Sequence, residues 1–236
     1  MLPKIDYPVY TIEVPSLKKN FRFRPFLVKE EKLLLMAKES DNTADVLGAV
    51  KQIINNCSVE TDNLDIDKLA IFDLEYIFLK LRAFSVDNVI KVAYKDLEDE
   101  KIYNLEIKLD DVKVKYPDTA DSNIKITANS GIIMRYPSAK LYDDKDFLNL
   151  EKDYMFELII RCIDSIYVED EVYEAKNYTT KELTDFLENL NIKSFESIQN
   201  FLMESPKLHH EIKYKNSLNN ERTITYSSLN DFFMWR

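Results

Sequence analysis

The chain has 236 residues, with 32 basic against 42 acidic side chains and a formal charge of −10. Apolar residues at 45% can build a core, but the two glycines, Gly48 and Gly131, stand where average usage of about 7% gives roughly 16. Phosphate-binding P-loops, dinucleotide G-x-G-x-x-G turns and G-x-S-x-G elbows are thereby excluded, and the acidic balance argues against nucleic acid.

Residues 1–27 read as extended. Tyr10-Thr-Ile-Glu-Val14 and Phe21-Arg-Phe-Arg24 alternate apolar and polar side chains around a turn at Pro15–Asn20, the pattern of a β-hairpin with one face on a core. Three helices follow. The first covers about Lys29–Glu39, with Leu33, Leu34 and Met36 apolar. The second carries Val46, Leu47, Val50, Ile53, Ile54 and Cys57 at 3–4 spacing, with Asn42 or Thr43 as N-cap. The third, from Asp67 to about Arg82, is apolar nearly all round, which places it at the centre of a core or against a partner chain.

The middle of the chain changes period. Val86–Tyr94 and Lys101–Leu109 flank the charged turn Lys95–Glu100, and Asn123–Thr127 and Ile132–Tyr136 flank Ala128-Asn-Ser-Gly131, where the glycine is expected to supply a positive φ. Two hairpins predict an antiparallel sheet. Helix returns near residue 150 with the stripe Met155, Leu158, Ile159, Cys162 and Ile163. Thr179-Thr-Lys-Glu182 has the spacing of a capping box before Leu183, Phe186, Leu187 and Leu190. Ser194 is positioned to cap a further helix that Pro206 closes. A last hairpin runs from Glu211–Lys215 through Asn216–Asn220 to Arg222–Tyr226, before an aromatic tail.

Chemistry is sparse. Cys57 and Cys162 are far apart in apolar helical patterns and read as buried small hydrophobes. His209-His210-Glu211 begins a strand, where neighbours face opposite sides, so no metal site is expected. Asp110-Asp111, Asp143-Asp144 and Glu169-Asp-Glu171 read as turns or solvated runs rather than catalytic pairs. No catalytic residue and no cofactor are therefore assigned. No basic n-region precedes an apolar h-region, and no apolar run can span a bilayer, so an intracellular, soluble protein without a membrane partner is expected. The charge is uneven: residues 1–36 carry seven basic and four acidic side chains, and 164–190 carry two basic and eight acidic. Such asymmetry either steers a partner or marks solvated faces. Twenty-seven Tyr and Phe and one Trp supply core and interface area. The cluster Phe232-Phe233-Met234-Trp235 needs cover from the protein's own core or from a partner.

Two stretches carry a resemblance together. They are Phe23-Arg-Pro-Phe-Leu-Val-Lys-Glu-Glu-Lys-Leu-Leu-Leu-Met-Ala-Lys-Glu-Ser40 and Phe201-Leu-Met-Glu-Ser-Pro-Lys-Leu208, the latter followed beyond the hairpin by Leu229-Asn-Asp-Phe-Phe233. With Ile133-Met-Arg-Tyr-Pro137 and the capped helix from Thr179 between them, they resemble the baseplate hub assembly proteins of T-even-type contractile-tailed phages over essentially the whole chain. Some members of that family carry cysteine pairs in the terminal hairpin. Here the turn reads Asn-Ser-Leu-Asn-Asn-Glu, so no zinc site carries over, and Ile212, Tyr214, Ile224 and Tyr226 are expected to hold the hairpin against the aromatic tail. The segments Ile90-Lys91 to Tyr94-Lys95 and Ile212-Lys213 to Tyr214-Lys215 echo each other.

The resulting expectation is an α+β protein in three regions: 1–85, hairpin and helices; 86–145, antiparallel β; and 146–236, helices and a terminal hairpin, in one compact unit or more. The resemblance implies a non-enzymatic chaperone or scaffold of baseplate hub subunits, with other hub or tail proteins as partners. Its place would be the host cytoplasm during assembly, or the tail baseplate of the virion. A permanent baseplate or tail subunit is the alternative, and a carboxylate- or metal-dependent hydrolase is the alternative from another class. Candidate partner-binding residues are Pro206, Lys207, Phe232, Phe233 and Trp235.

Overall fold

A computed structural model describes residues 6–39, 43–59, 63–117, 121–144, 147, 150 and 153–232. The protein is α+β, and among the described residues every strand pairing is antiparallel. The chain divides into two compact units, one made of residues 1–115 with 207–236 and one of residues 116–206. The second unit is thus an insert in the first. Its ends lie after Lys115 and Pro206, away from the pattern shifts near 85 and 146.

The first unit opens with the hairpin β1 (Tyr10–Val14) and β2 (Lys19–Phe23), in register Tyr10↔Phe23 to Val14↔Lys19. Ile12, Val14 and Phe23 are buried while Thr11, Glu13 and Arg22 face out, the two-residue alternation that the sequence shows. Helix α1 (Val28–Glu39) turns Glu30, Leu34 and Ala37 inward. Met36 lies outside that row and is 60% exposed, because an inward row at 3–4 spacing has room for only one residue per turn. Helix α2 (Thr43–Cys57) buries Val50, Ile53, Ile54 and Cys57 along the expected stripe.

Helix α3 (Ile71–Ser85) starts later than its apolar pattern indicates, since Ile66–Lys68 forms a separate 3₁₀ turn and Leu69 and Ala70 are extended. The cause is Asp73. Its carboxylate accepts from the backbone N–H of Ala70 (3.2 Å) and of Ser16 in the first hairpin turn (2.9 Å), satisfying an orphan donor at the helix start and tying two chain-distant segments. Phe72, Leu74, Ile77, Phe78, Leu79 and Leu81 are all buried, so α3 is the central core helix, and each such side chain contributes about 1.5–3 kcal/mol of burial. Strands β3 (Val89–Lys95) and β4 (Ile102–Lys108) form a two-stranded hairpin, and β5 (Lys113–Lys115) ends this part of the unit.

The insert contains β6 (Asn123–Lys125), β7 (Ser130–Met134), α4 (Tyr154–Cys162), β8 (Ile163–Val168), β9 (Glu171–Glu174), α5 (Thr180–Glu188) and α6 (Ile192–Met203). The strands form one sheet in the order β6-β7-β8-β9. Its inner residues, among them Ile132, Met134, Ile163 and Ile166, share a single apolar cluster with Ile159, Leu183, Leu187, Ile198 and Phe201 of the helices. The two middle hairpins therefore belong to different sheets rather than to one. Gly131 also departs from expectation. It lies within β7, without a positive φ, and glycine is needed because a Cβ there would stand 2.5 Å from the Tyr167 hydroxyl and 2.7 Å from the Ile124 carbonyl oxygen. The helical stripe through Ile163 breaks one residue early, as Cys162 ends α4 and Ile163 begins β8 without a loop.

The Thr179 capping box is present: the Glu182 amide donates to Thr179 Oγ1 (3.3 Å) and the Thr179 amide to Glu182 Oε2 (2.8 Å). Ser194 is not the cap of α6. Asn191 is, accepting from the Ser194 amide at 2.9 Å, and Ser194 sits buried in the first turn. Asn outcompetes Ser here because it stands at the last extended residue. The chain then re-enters the first unit through β10 (Lys207–Lys215) and β11 (Glu221–Tyr226), and ends its described part in the short α7 (Leu229–Phe232). β10 pairs with β11 and, through Lys207–His209, with β5.

Candidate functional site

Three places concentrate polar or apolar chemistry, and each was built up from its local sequence. In the first unit, Arg24 follows β2 directly and Glu30 sits in the first turn of α1. Arg24 Nη2 donates to Glu30 Oε1 at 2.9 Å, and the Leu27 amide donates to Glu30 Oε2 at 2.9 Å. Burial raises the Glu30 carboxyl, but Arg24 and Leu27 together hold it below its usual range. Cys57 lies beside Arg24 (Sγ at 3.6 Å), and burial pushes its thiol up to about 12. The group is a lock between strand and helix within the segment that carries the resemblance, and its ionic partners are all consumed.

The second place joins two hairpins of the first unit. The turn after β3 presents Asp96, Glu98 and Asp99, and the turn after β10 presents Asn216, Ser217 and Asn220. Tyr214 donates its hydroxyl to Asp96; Asn216 Nδ2 and Asn220 Nδ2 donate to Glu98 at 2.6 and 2.7 Å; and the Ser217 amide donates to Asp99 at 2.9 Å. Arg222 approaches Asp96 (3.4 Å) and Glu98 (3.6 Å). The Tyr214 ring meets Tyr94 and Tyr103 at centroid separations of 6.1 and 4.9 Å. The echo of Ile90-Lys91 to Tyr94-Lys95 in Ile212-Lys213 to Tyr214-Lys215 ends in a contact between Tyr94 and Tyr214. Tyr214 packs on the other hairpin, and the tail beyond Phe232 that it is expected to meet lies outside the described residues. Burial opposes the Asp99 charge, yet hydrogen bonds from Tyr103, Lys101 and Ser217 hold its carboxyl far below the carboxylate range. Burial and the bond to Asp96 push the Tyr214 hydroxyl up to about 12. Every carboxylate here is engaged as an acceptor, so the cluster fixes geometry.

The third place is a cavity of about 380 Å³ in the insert. Ile166, Val168 and Tyr173 come from the paired strands β8 and β9, Tyr178 from the connection, and Glu182, Leu183 and Phe186 from α5. Val168 and Tyr178, 46% and 40% exposed, form its open lip. Glu182 is the single ionisable carboxylate, and the hydrogen bonds from Thr179 hold it below its usual range. An apolar slot whose one carboxylate is hydrogen-bonded can bind a side chain.

The sequence-predicted contact residues are scattered. Pro206 is buried at the end of the insert, and Lys207 is exposed at the start of β10, opposite Lys115. Phe232 is 3% exposed and packs against Tyr226 with the rings tilted (centroids 5.6 Å apart, interplanar angle 38°), so it serves the core of the first unit. Phe233 and Trp235 lie outside the described residues. His209 and His210 are successive residues of β10; His209 Nε2 lies 3.3 Å from Glu211 Oε1, and burial lowers the His210 imidazole. Among the described residues, no group of three or more His, Cys, Asp or Glu side chains could hold a metal ion, and no helix is long and apolar enough to cross a membrane. Asp144 of the Asp143-Asp144 pair bonds Arg161 at 2.6 Å, and Glu169-Asp-Glu171 makes the β8–β9 turn, with Glu169 at a φ of 54°. The helical pattern through Ile163 conceals β8 and β9, and with them the slot. Ile166 and Val168 on one side of an acidic turn, with Val172 and Tyr173 on the other, are the signal that marks them.

These features define an α+β protein with an apolar slot and two internally bonded polar clusters among its described residues. Residues 7–234 match the model of the T4 bacteriophage base plate protein family, and the chain belongs to that family. No curated protein and no solved structure matches the chain. Membership makes it a phage baseplate protein, with a structural or assembly role among other baseplate proteins.

Proposed function

We propose that the protein assembles the baseplate hub through protein–protein contacts, acting as a chaperone or scaffold of hub subunits and not as an enzyme. The observation that carries this reading is the apolar slot of the insert, whose mainly apolar lining, with its one carboxylate hydrogen-bonded, offers a side-chain receptor. Two carboxyls outside the slot are raised by burial, Asp73, whose oxygens accept from the Ser16 and Ala70 amides, and Glu75. Burial pushes Glu75 up to about 7, but its Oε1 accepts from the Leu229 amide (3.2 Å) and holds the start of α7. That position favours a contact protein over a hydrolase. The chaperone would cover an apolar or edge-strand surface of a hub subunit until its neighbour arrives, and the charge of −10 would keep the free protein from associating with itself. Co-expression with each hub subunit tests this. A complex on size exclusion, or a rise in soluble hub subunit, is the expected result; no complex and no change in solubility with any hub subunit would defeat it. A permanent baseplate subunit is the alternative reading, and the baseplate family itself favours it.

A further inference from the structure

The slot in the insert has a charged frame. The span 164–190 that builds it holds eight acidic and two basic side chains. Lys176 is spent on Glu174 at 2.6 Å, and Asp164 faces Arg135 at 3.8 Å. Among the described residues Glu169, Asp170, Asp185 and Glu188 are exposed and make no ion pair, and with Lys181 as the one further cation of the span the charge there stays net negative. Among the described residues β9 is the outer strand of its sheet, and its Tyr173 lines the same slot. Three properties thus coincide: an open apolar receptor, a net negative surround and an outer strand. Each selects a different part of a ligand, namely an apolar side chain, flanking cations and an extended backbone.

We infer that the slot docks an extended segment of another baseplate protein in which an aliphatic or aromatic side chain is flanked by lysine or arginine. This rests on the assembly reading and gives it a partner chemistry. A cationic flank gains attraction from the acidic frame, while an acidic flank is repelled, so the same apolar anchor is accepted or refused by its neighbours. The contact is salt-sensitive, because the frame is exposed and lies within a Debye length of the bound segment.

The test places the photo-crosslinker p-benzoylphenylalanine at Tyr178 of the full-length protein in infected cells, with Val168 as a second slot position and Leu35 of the first unit as a position outside the slot. Both slot variants are first checked for a wild-type melting profile. The crosslinked peptides are then identified by mass spectrometry. The expected peptide comes from another baseplate protein and has an apolar residue within two positions of a lysine or arginine. Its yield falls about threefold or more when salt is raised to 0.5 M, or when Asp170 and Asp185 are changed together to lysine. A peptide with acidic flanks, a peptide from a second copy of this chain, or no slot crosslink while Leu35 captures baseplate proteins would each overturn the docking inference and leave the assembly reading standing. No baseplate protein at any of the three positions would overturn both.

Discussion

The two units are held together by different physics. Among the described residues the first buries Glu30, Asp73, Lys80, Asp96 and Asn216, whereas the insert buries only Ser165 and Ser194 of its polar side chains. In the first unit these groups join segments far apart in sequence: Asp73 to Ser16, Lys80 to the carbonyls of Leu109 and Asp110, and Asp96 to Tyr214. The insert instead closes one apolar cluster from a continuous stretch of chain. A unit whose halves are separated by ninety-one inserted residues, 116–206, gains from directional bonds that accept only one pairing, whereas hydrophobic burial alone is non-directional. The contiguous insert has less need of them, and its remaining apolar surface is free to form a receptor.

Substitutions can break this contrast in graded fashion. Arg24→Ala leaves the Glu30 carboxylate buried without its cation and should cost about 3 kcal/mol, at the low end for a buried pair because Arg24 keeps some exposure. Urea unfolding measures the cost, and segment-resolved hydrogen exchange should place it in residues 1–115 and 207–236 while the insert stays protected. Gly131→Ala reverses the pattern. Its Cβ meets the Ile124 carbonyl, so about 2 kcal/mol should be lost, with exchange rising in β6, β7 and β8.

Glu75 sharpens the contrast through pH. Its folded pKa, raised from 4.5 to about 7, means that the folded state binds the proton more tightly. The associated stability is therefore full below about pH 4.5 and lost as pH rises through 7. Glu75→Gln keeps an acceptor for the Leu229 amide without the charge, and should stabilise the protein on the order of 2 kcal/mol at pH 8 and hardly at all at pH 4.5. Equal effects at both pH values in paired melts would remove this account. Thr179→Ala should cost about 1 kcal/mol, as an N-cap lost from α5. The smallest effect is local: Asp99→Asn should speed exchange at the Ser217 amide and loosen the joint between the two hairpins without unfolding either.

Much of the fold was legible because local chemistry decided it. The first hairpin, the α2 stripe and the Thr179 capping box follow directly from residue spacing. What was not legible depended on partners distant in sequence. The start of α3 is set by Asp73 reaching Ser16, the need for Gly131 by the Tyr167 ring across the sheet, and the role of Tyr214 by the carboxylate of Asp96. The slot was only half visible. Leu183 and Phe186 were placed on the capped helix, but Ile166 and Tyr173 oppose each other only once β8 and β9 pair. The acidic span was noticed without the receptor that it frames.

Quantitative mass spectrometry of purified mature tails, with infected-cell lysate as reference, tests the assembly reading most directly. The account predicts a protein abundant in the lysate and missing from finished tails, released once the hub is built. A fixed copy number relative to a hub subunit in mature tails would contradict it and make the protein a permanent part of the baseplate.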